Sequence, residues 1–352
     1  MTTEAPRHSH AALTRLAERL FAAAGLDGEK ARTTARLLVL TDMMGRYTHG
    51  LAQVGAYLDQ VQRGLMEGAG EPEVLRDTGA TLVWDGGYRP GPWLVERALR
   101  TGFERLSQHG VVTTVIRRSH HIGCLAALTK EATDRGYLAI LASSGPHTKI
   151  VAPFGGKEGL FSPNPFAIGF PTTASPVLVD ISASITSLSN VREKKAAGAR
   201  FDHPWVMDSE GRATTDPNVV EGKGGSLLLL GGMEAGHKGF GLALMVEALT
   251  GGLAGHGRLE QPTRWGANVF LQLLDPAAFA GRDAFLAQMD FLTDACRANA
   301  PVDPAQPVRL PGEKAARLIA RAEAEGVPLS PTAAASLRDW AARLGVEPDP
   351  LG

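Results

Sequence analysis

The sequence predicts an α/β protein in which a sheet-containing segment is inserted between helical segments at the two ends of the chain. Apolar residues recur every three or four positions from His10 to about Met66, which is the period of an amphipathic helix. Between Thr81 and Ile181, short β-branched runs alternate with helical segments, and after Arg309 the helical pattern returns. Alternation of strands and helices is typical of a mixed or parallel sheet with helices packed on it.

The N-terminal helical region is interrupted by a polar break. Leu16 and Leu20 share one helical face, and Gly25 and Gly64 end two of the predicted helices. The break is the stretch 41–50, with the sequence TDMMGRYTHG. Because loops held between rigid elements often carry functional side chains, we expect a functional loop at this break.

The central segment contains the predicted sheet. Asp180 stands near the carboxyl end of a buried strand, where α/β folds place ligands and where helix caps are equally common. A glycine cluster at 222–225 marks a loop before the apolar run 227–230. The strands are expected at Thr81–Trp84, Val111–Ile116, Leu138–Leu141 and Val177–Ile181, and the helices at Leu94–Leu106, Leu125–Arg135 and Gly239–Leu249.

The C-terminal segment predicts helices at Glu313–Ala324 and Leu337–Leu344. Helices at both ends of the chain suggest that the ends pack together as one layer. We therefore predict two domains, a helical one formed by residues 1–75 with 276–352 and an α/β one formed by residues 76–275.

Composition excludes several classes of protein. The chain has 352 residues, with 36 Lys and Arg against 37 Asp and Glu, and this balance disfavours nucleic-acid binding. The apolar runs Leu227–Leu230 and Leu242–Val246 are far shorter than the ~20 residues that cross a bilayer. Cys124 and Cys296 fit neither a disulfide framework nor a zinc site, and Met1–His10 has no apolar signal core. We expect a cytoplasmic protein without a metal, a nucleic-acid partner or a membrane span.

Common catalytic motifs are absent from the sequence. It contains no G-x-G-x-x-G, no H-E-x-x-H and no G-x-S-x-G, so a standard dinucleotide fingerprint and the usual zincin and hydrolase signatures are missing. The stretch Gly231–Gly239 approaches a P-loop but lacks the Gly-Lys-Ser/Thr ending. Hydrolysis of a nucleoside triphosphate is therefore only a minor alternative.

Two histidines occur in glycine-bounded polar breaks. His49 precedes Gly50, and His121 follows the strand predicted at Val111–Ile116. Imidazole, with a pKa near ~6.5, suits proton exchange at neutral pH, although a single histidine is more often a hydrogen-bonded structural residue. Glycine pairs at 155–156 and 231–232 could bring backbone amides close to a pyrophosphate. The residues alone thus indicate an α/β enzyme, with an anionic cofactor as an open alternative.

Eight segments, in order and at comparable spacing, carry a family resemblance: Asp42-x-x-Gly45-x-x-Thr48-His49-Gly50, Arg118-Ser119-His120-His121-x-Gly123, Ala152-Pro153-x-Gly155-Gly156, Asn164-Pro165-x-Ala167-Ile168-x-x-Pro171, Asp180-Ile181-Ser182-x-Ser184, Gly231-Gly232, Lys238-Gly239-x-Gly241-Leu242-Ala243-Leu244 and Pro311-Gly312-Glu313. Together they resemble the malate/L-lactate dehydrogenase type 2 family. This family also includes ureidoglycolate and sulfolactate dehydrogenases and diketogulonate and piperideine-carboxylate reductases.

The resemblance implies an NAD(P)-binding fold that is unrelated to the Rossmann pattern, which would explain the missing fingerprint. It implies that the α/β domain binds NAD or NADP, without choosing between them, and that the helical domain contacts a small-molecule substrate and a second subunit. A homodimer or higher assembly, with the site at the subunit contact, is the expected state. The implied reaction moves a hydride to or from a C=O or C=N carbon of a small 2-oxo or 2-hydroxy acid or derivative.

The resemblance also implies roles for individual residues. His121 would exchange a proton with the substrate, His49 would polarise it, and Thr48 and Gln53 would contact it. Four groups of residues would line the cofactor. They are Ser143 with Ser144; Asp180 with Ile181 and Ser182; Gly231 with Gly232; and Pro311 with Gly312 and Glu313.

Gln53 is the main departure from the family pattern, which has an arginine for the substrate carboxylate four residues after the first histidine. Glutamine cannot form the charged, two-pronged hydrogen bond that arginine makes with a carboxylate. Either Arg46, Arg117 or Arg118 replaces that arginine, or the substrate group is neutral; we slightly favour a neutral group, because an unpaired buried carboxylate is costly. Loss of turnover with retained cofactor binding is the second alternative.

Overall fold

A computed structural model describes residues 6–349 and residue 351. Residues 1–5 of the polar N-terminal stretch, where no signal core was expected, lie outside the described residues. The α-helices of the described part are, in chain order, α1 (His10–Ala24), α2 (Gly28–Met43), α3 (Val54–Gln62), α4 (Gly91–His109), α5 (Leu125–Thr133), α6 (Leu188–Ala196), α7 (Gly232–Glu247), α8 (Arg282–Ala298), α9 (Glu313–Glu325) and α10 (Pro331–Leu344).

The strands of the described part are, in chain order, β1 (Arg7–His8), β2 (Glu73–Asp77), β3 (Thr81–Asp85), β4 (Val111–Ser119), β5 (Leu138–Ser144), β6 (Pro165–Phe170), β7 (Val177–Ser182), β8 (Val206–Met207), β9 (Ala213–Thr214), β10 (Ser226–Leu227), β11 (Ala267–Leu274) and β12 (Val327–Pro328). Seven of them form the main sheet in the order β2-β3-β4-β11-β5-β6-β7. Strands β3 and β4 are parallel, and the other neighbouring pairs in this sheet are antiparallel. The protein is therefore a mixed α/β protein, as the sequence predicted.

The connection from β3 to β4 follows directly from its sequence. Helix α4 begins after Pro90, carries Pro92 in its first turn and ends at Gly110, whose φ of 68° is easily reached by glycine. The β-branched run Val111–Ile116 then favours an extended chain. Because α4 packs on β4 and β11, this crossover covers the centre of the sheet.

Strand β11 was not predicted, although it lies at the centre of the sheet between β4 and β5. Its sequence, ANVFLQLL, is apolar at most positions, and Ala267–Leu271 are all buried. A strand that is buried on both faces shows no alternation of apolar and polar residues and cannot be distinguished by period from a short buried helix. Strand β6 and helix α8 were also absent from the prediction.

Helices from the two ends of the chain share one hydrophobic core. Leu16 and Leu20 of α1, Tyr57 of α3 and Leu337 and Trp340 of α10 all belong to it, and β1 pairs with β12. These contacts form a helical layer, by which we mean α1, α2, α3, α9 and α10. The domain boundaries at residues 75 and 276 stay a prediction.

Helix α2 lies between this helical layer and the sheet. Leu38 of α2 belongs to the core of the helical layer, whereas its neighbour Leu37 belongs to the core formed by the sheet with α4 and α5. Most residues of α2 are buried for this reason. The C-terminal end of α2 leads directly into the polar stretch 41–50.

A small lobe stands beside the main sheet. Strands β10, β8 and β9 form a separate three-stranded sheet, and its core includes Val151, Phe161, Val191 and Leu227. Helix α7 begins where this lobe returns to the main sheet, since Leu230 N donates to the carbonyl of Ala183 at 2.7 Å. Within the described residues, no helix is long and apolar enough to cross a membrane.

Candidate active site

The structure brings the two predicted histidines together. His49 lies in a 3-10 turn, Tyr47–His49, that follows α2, and His121 lies in the loop from β4 to α5. Their ring centroids are 6.1 Å apart. Two imidazoles from separate loops thus face one small region at the end of β4.

A buried carboxyl group supports the turn that carries His49. Asp42 accepts a hydrogen bond from Leu51 N at 3.1 Å, and its other oxygen has no partner among the described residues. A Cβ on Gly50 would lie 1.8 Å from that oxygen, so the turn can approach the carboxyl only with glycine at this position. Burial raises the pKa of Asp42 to about 8, and most Asp42 side chains are therefore protonated and neutral at pH 7.

The ring of His49 is held by its immediate neighbour. Its Nδ1 lies 2.9 Å from the hydroxyl oxygen of Thr48. Burial lowers the pKa of His49, the charge of Asp180 opposes this change, and the charge of Arg46 adds to it. His49 is therefore mainly neutral at pH 7.

The ring of His121 is held from the core of the helical layer. Its Nδ1 lies 2.6 Å from the hydroxyl oxygen of Tyr57, a side chain that is fully buried on α3. Burial raises the pKa of Tyr57, so its hydroxyl group stays protonated. Burial, with a smaller contribution from His49, lowers the pKa of His121 to about 3. The ring is therefore neutral at pH 7, and its Nδ1 is occupied by the Tyr57 hydroxyl group.

The backbone of the His121 loop is also closely packed. A Cβ on Gly91, in the first turn of α4, would lie 2.5 Å from the carbonyl oxygens of both His120 and His121. His120 N donates to the carbonyl of Arg89 at 3.0 Å. Close packing against the start of α4 therefore fixes the position of the His121 backbone relative to the sheet.

Two aromatic residues that the sequence did not single out complete the surroundings of His121. Trp265 lies just before β11, with its ring 5.5 Å from His121 and 4.6 Å from His120. Tyr57 was recognised only as part of an apolar helix face. His120 is buried, and neither of its ring nitrogens has a partner in the described part of the chain. Burial lowers the pKa of His120 to about 3, so this neighbour adds no charge to the site at neutral pH.

Ser143 and Ser144 lie at the same end of the sheet as His121. In the register of β11, Asn268 pairs with Ser144, and the adjacent Ala267 pairs with Ser119. The hydroxyl oxygen of Ser144 lies 2.8 Å from that of Thr250. Strand β11 therefore lies between this predicted cofactor pair and β4, the strand that leads to His121.

Asp180 links β7 to the His121 loop. Its carboxylate accepts a hydrogen bond from Ala126 N at 3.0 Å and lies 3.6 Å from the thiol of Cys124. The carboxylate thus caps the beginning of α5, which is one of the two roles expected for it. Ile181 is exposed, and Ser182 donates to the carbonyl of Ser184.

Two further groups of predicted cofactor residues adjoin β7. The carbonyl of Pro311 accepts a hydrogen bond from Leu178 N at 3.0 Å, which places Gly312 beside the strand. Arg297 binds Glu313 at 2.7 Å and lowers the pKa of that carboxyl. Gly231 and Gly232 begin α7, next to the segment that follows β7.

A cleft of about 390 Å³ lies at the start of α7. Its lining includes Gly155 and Gly156, together with Gly232 and Met233. The backbone N–H groups of the first turn of α7 have no side-chain cap from the N-cap residue, Gly231. Gly232 N already donates to the carbonyl of Leu229 at 2.8 Å, so only amides later in this first turn can attract an anion.

The residues considered for the substrate carboxylate differ in what they already bind. Gln53 donates from Nε2 to the carbonyl of Thr48 at 2.7 Å. Arg117 and Arg118 both form ion pairs with Asp85, at 2.7 and 2.6 Å. Arg46 is exposed, and its side chain makes no hydrogen bond or ion pair with the described residues.

A family described as malate/L-lactate dehydrogenase matches residues 8–338, which is nearly the whole chain. The chain belongs to the malate/L-lactate dehydrogenase family. The resemblance predicted from eight ordered segments is thereby confirmed, and the protein is an oxidoreductase of the class that acts on CH–OH groups.

Individual relatives cover almost all of the chain. Hydroxycarboxylate dehydrogenase B of Escherichia coli K12 is 27% identical over 340 residues, which are 94% of this chain and 92% of the relative. A protein named (2R)-3-sulfolactate dehydrogenase (NADP(+)) of Chromohalobacter salexigens is 30% identical over 301 residues, 83% of this chain and 85% of that protein. The crystal structure of malate dehydrogenase from Entamoeba histolytica superposes with a TM-score of 0.92 at 21% identity, covering 98% of this chain and 99% of that one.

Proposed function

We propose that this member of the malate/L-lactate dehydrogenase family is an NAD(P)-dependent dehydrogenase or reductase for a small 2-oxo or 2-hydroxy acid or derivative, reacting at a C=O or C=N carbon. The observation that carries the proposal is the pair of neutral imidazoles, His49 and His121, whose centroids lie 6.1 Å apart. Each ring has one nitrogen fixed by a hydroxyl group, from Thr48 and Tyr57 respectively. The names of the two curated relatives, which refer to hydroxycarboxylate and sulfolactate, support this substrate class.

NAD or NADP, when bound, would supply or accept the hydride, and the residues of the chain handle the proton. His121, with its ring proton on Nδ1 and donated to the Tyr57 oxygen, accepts the hydroxyl proton at Nε2 when a 2-hydroxy acid is oxidised and returns it when the carbonyl is reduced. Its low pKa keeps it in the neutral, proton-accepting form before the substrate binds. His49, with Thr48 behind it, polarises the substrate oxygen or nitrogen from the opposite loop.

The cofactor would be held along β7 and at the sheet end beside β5. We propose that the serine pair Ser143 and Ser144, the segment Asp180–Ser182 and the segment Pro311–Glu313 line it, and that Gly231 and Gly232 also line it at the start of α7. The uncapped start of α7 beside the 390 Å³ cleft supports this arrangement. We propose that the sheet binds the cofactor in a manner specific to this family, without a Rossmann fingerprint. NAD and NADP both remain open.

Gln53 alters the substrate end of the pocket in this proposal. Its amide nitrogen already donates to Thr48 O, which leaves its oxygen and one N–H for a substrate.

We expect a homodimer, which the exposed Leu244, Leu253 and Leu259 on and after α7 support, and we expect a cytoplasmic location.

The alternative is a family member that binds the cofactor and has lost turnover. Titration of the purified protein with NADH and with NADPH, followed by fluorescence, tests the common basis of both possibilities. Oxidation of the bound cofactor by a panel of 2-oxo acids, cyclic imines and neutral ketones then separates them. Binding without turnover would favour the alternative, and absence of binding would overturn the proposed function.

A further inference from the structure

The substrate pocket needs a cation if the substrate keeps its carboxylate. At the position four residues after His49, Gln53 is neutral and its Nε2 is bound to the carbonyl of Thr48 at 2.7 Å. A neutral amide provides hydrogen bonds but no charge to offset a carboxylate that leaves water. The cation must therefore come from another residue near the two histidines.

Arg117 and Arg118 are unsuited to this role because both neutralise Asp85. The Asp85 side chain is only 1% exposed. It receives hydrogen bonds from Nε of both arginines, at 2.7 and 2.8 Å. Moving either arginine to a substrate would leave part of a buried carboxylate unpaired, which is strongly unfavourable.

Arg46 differs from these two arginines in both place and partners. Its carbonyl oxygen accepts a hydrogen bond from His49 N at 2.9 Å, so it belongs to the turn that presents His49. The preceding Gly45 packs against Leu318 of α9, which fixes the base of that turn. The guanidinium itself is exposed and has no hydrogen-bond or ion-pair partner among the described residues.

The charge of Arg46 reaches both histidine loops. Burial is the main cause of the lowered pKa of His49, and Arg46 adds to it. Burial raises the pKa of Cys124 to about 12, Asp180 adds to that rise, and Arg46 opposes it. Cys124 lies in the loop that carries His121. The charge of Arg46 thus acts on one side chain in each histidine loop.

We propose that Arg46 binds the carboxylate of an anionic 2-oxo or 2-hydroxy acid and takes over the role that Gln53 does not fill. This inference rests on the proposed function and adds to it the substrate class. The family's arginine follows the first histidine, whereas this one precedes it in the same turn.

The experiment compares an acid with its neutral counterpart. Oxamate and oxamide are titrated into the complex of protein with NADH or NADPH, whichever binds more tightly, and fluorescence reports binding. Pyruvate and methyl pyruvate are compared as substrates. The test variants are Arg46→Gln and Arg46→Lys. The control is Arg63→Gln, which removes an exposed arginine at the end of α3 that pairs with Asp59.

We expect Arg46→Gln to weaken oxamate binding about 10- to 100-fold, as loss of a charged hydrogen-bonded pair does. The KM for pyruvate should rise by a similar factor with a smaller change in kcat. Oxamide, methyl pyruvate and the cofactor should bind as before. Arg46→Lys should fall between wild type and Arg46→Gln, because lysine keeps the charge and loses the planar fork. Arg63→Gln should match wild type.

Three results would overturn this inference. Wild-type protein that prefers oxamide and methyl pyruvate would show a neutral substrate group, as the sequence alone favoured. An Arg46→Gln variant with weaker cofactor binding and unchanged oxamate binding would assign the arginine to a cofactor phosphate. Equal losses of oxamate binding in Arg46→Gln and Arg63→Gln would show that the overall positive charge of the surface, and not Arg46 in particular, attracts the anion. If neither NADH nor NADPH binds, the proposed function itself fails. Binding of oxamate and of oxamide to the cofactor-free protein, compared between wild type and Arg46→Gln, still tests the role of Arg46.

Discussion

The two histidine loops hold their imidazoles by different means. His121 is fixed from a distance, by a tyrosine hydroxyl group on α3 and by the close packing of Gly91 under its backbone. His49 is fixed locally, by the hydroxyl group of Thr48 and by a turn that rests on Asp42. The orientation of His121 therefore depends on the core of the helical layer, whereas that of His49 depends on a few neighbouring residues.

The largest expected effect comes from His121→Ala, which removes the proton-exchanging ring and keeps its supports. Turnover should fall by roughly 10²- to 10⁴-fold, the usual contribution of a positioned acid or base. Binding of NADH or NADPH, measured by fluorescence, should be unchanged. A variant whose rate per folded molecule stayed near normal, with losses that follow thermal unfolding, would show that His121 is only structural.

His49→Ala should cost less, and mainly in KM, because this ring polarises the substrate and does not itself carry the proton in our proposal. A loss of roughly 10-fold in kcat/KM is expected for one lost hydrogen bond to a substrate. The double variant with His121→Ala should lose little more than His121→Ala alone, because residues that act on one substrate are not additive. Fully additive losses in steady-state kinetics would argue against a shared site.

Tyr57→Phe tests the distant support of His121 while keeping the aromatic ring in the core. Loss of one buried hydrogen bond costs about 0.5–1.5 kcal/mol, so kcat should fall by a factor of about 2 to 10 with little change in KM. Thr48→Val is the matched change at His49 and should act on KM instead. Tyr137→Phe, at a ring stacked on Phe103, is the control and should leave both constants unchanged. Identical effects of the first two variants would remove the distinction between the loops.

Asp42→Asn should change stability more than activity. Because the folded-state pKa of Asp42 is about 8, above its ordinary value of 3.8, the carboxyl stabilises the fold at low pH. This contribution declines as pH rises from about 4 to 8, by up to about 1.4 kcal/mol per pH unit. Asparagine is neutral at all pH values, so the variant should be relatively more stable at pH 8 than at pH 5 in chemical unfolding. A constant difference between these pH values would contradict the buried, protonated state.

The sequence alone located the strands that have turn signals at their ends, such as those beginning at Thr81 and Val111, and it located both histidines. It did not locate β11, because a strand buried on both faces has no alternating pattern. Trp265 was missed for the same reason, since it precedes that strand. Tyr57 was read as an apolar side chain because its partner, His121, is far away in the chain. Arg117 and Arg118 are both bound to Asp85, whose burial no local pattern reveals.

Helix α2 gives the site one further property. Leu37 and Leu38 place it in two cores at once, and its end carries the turn of His49, whereas His121 extends from the sheet. The separation of the two rings thus reports how the helical layer sits on the sheet. We therefore expect substitutions in the middle of α2, far from both imidazoles, to alter catalysis by changing the distance between the two rings.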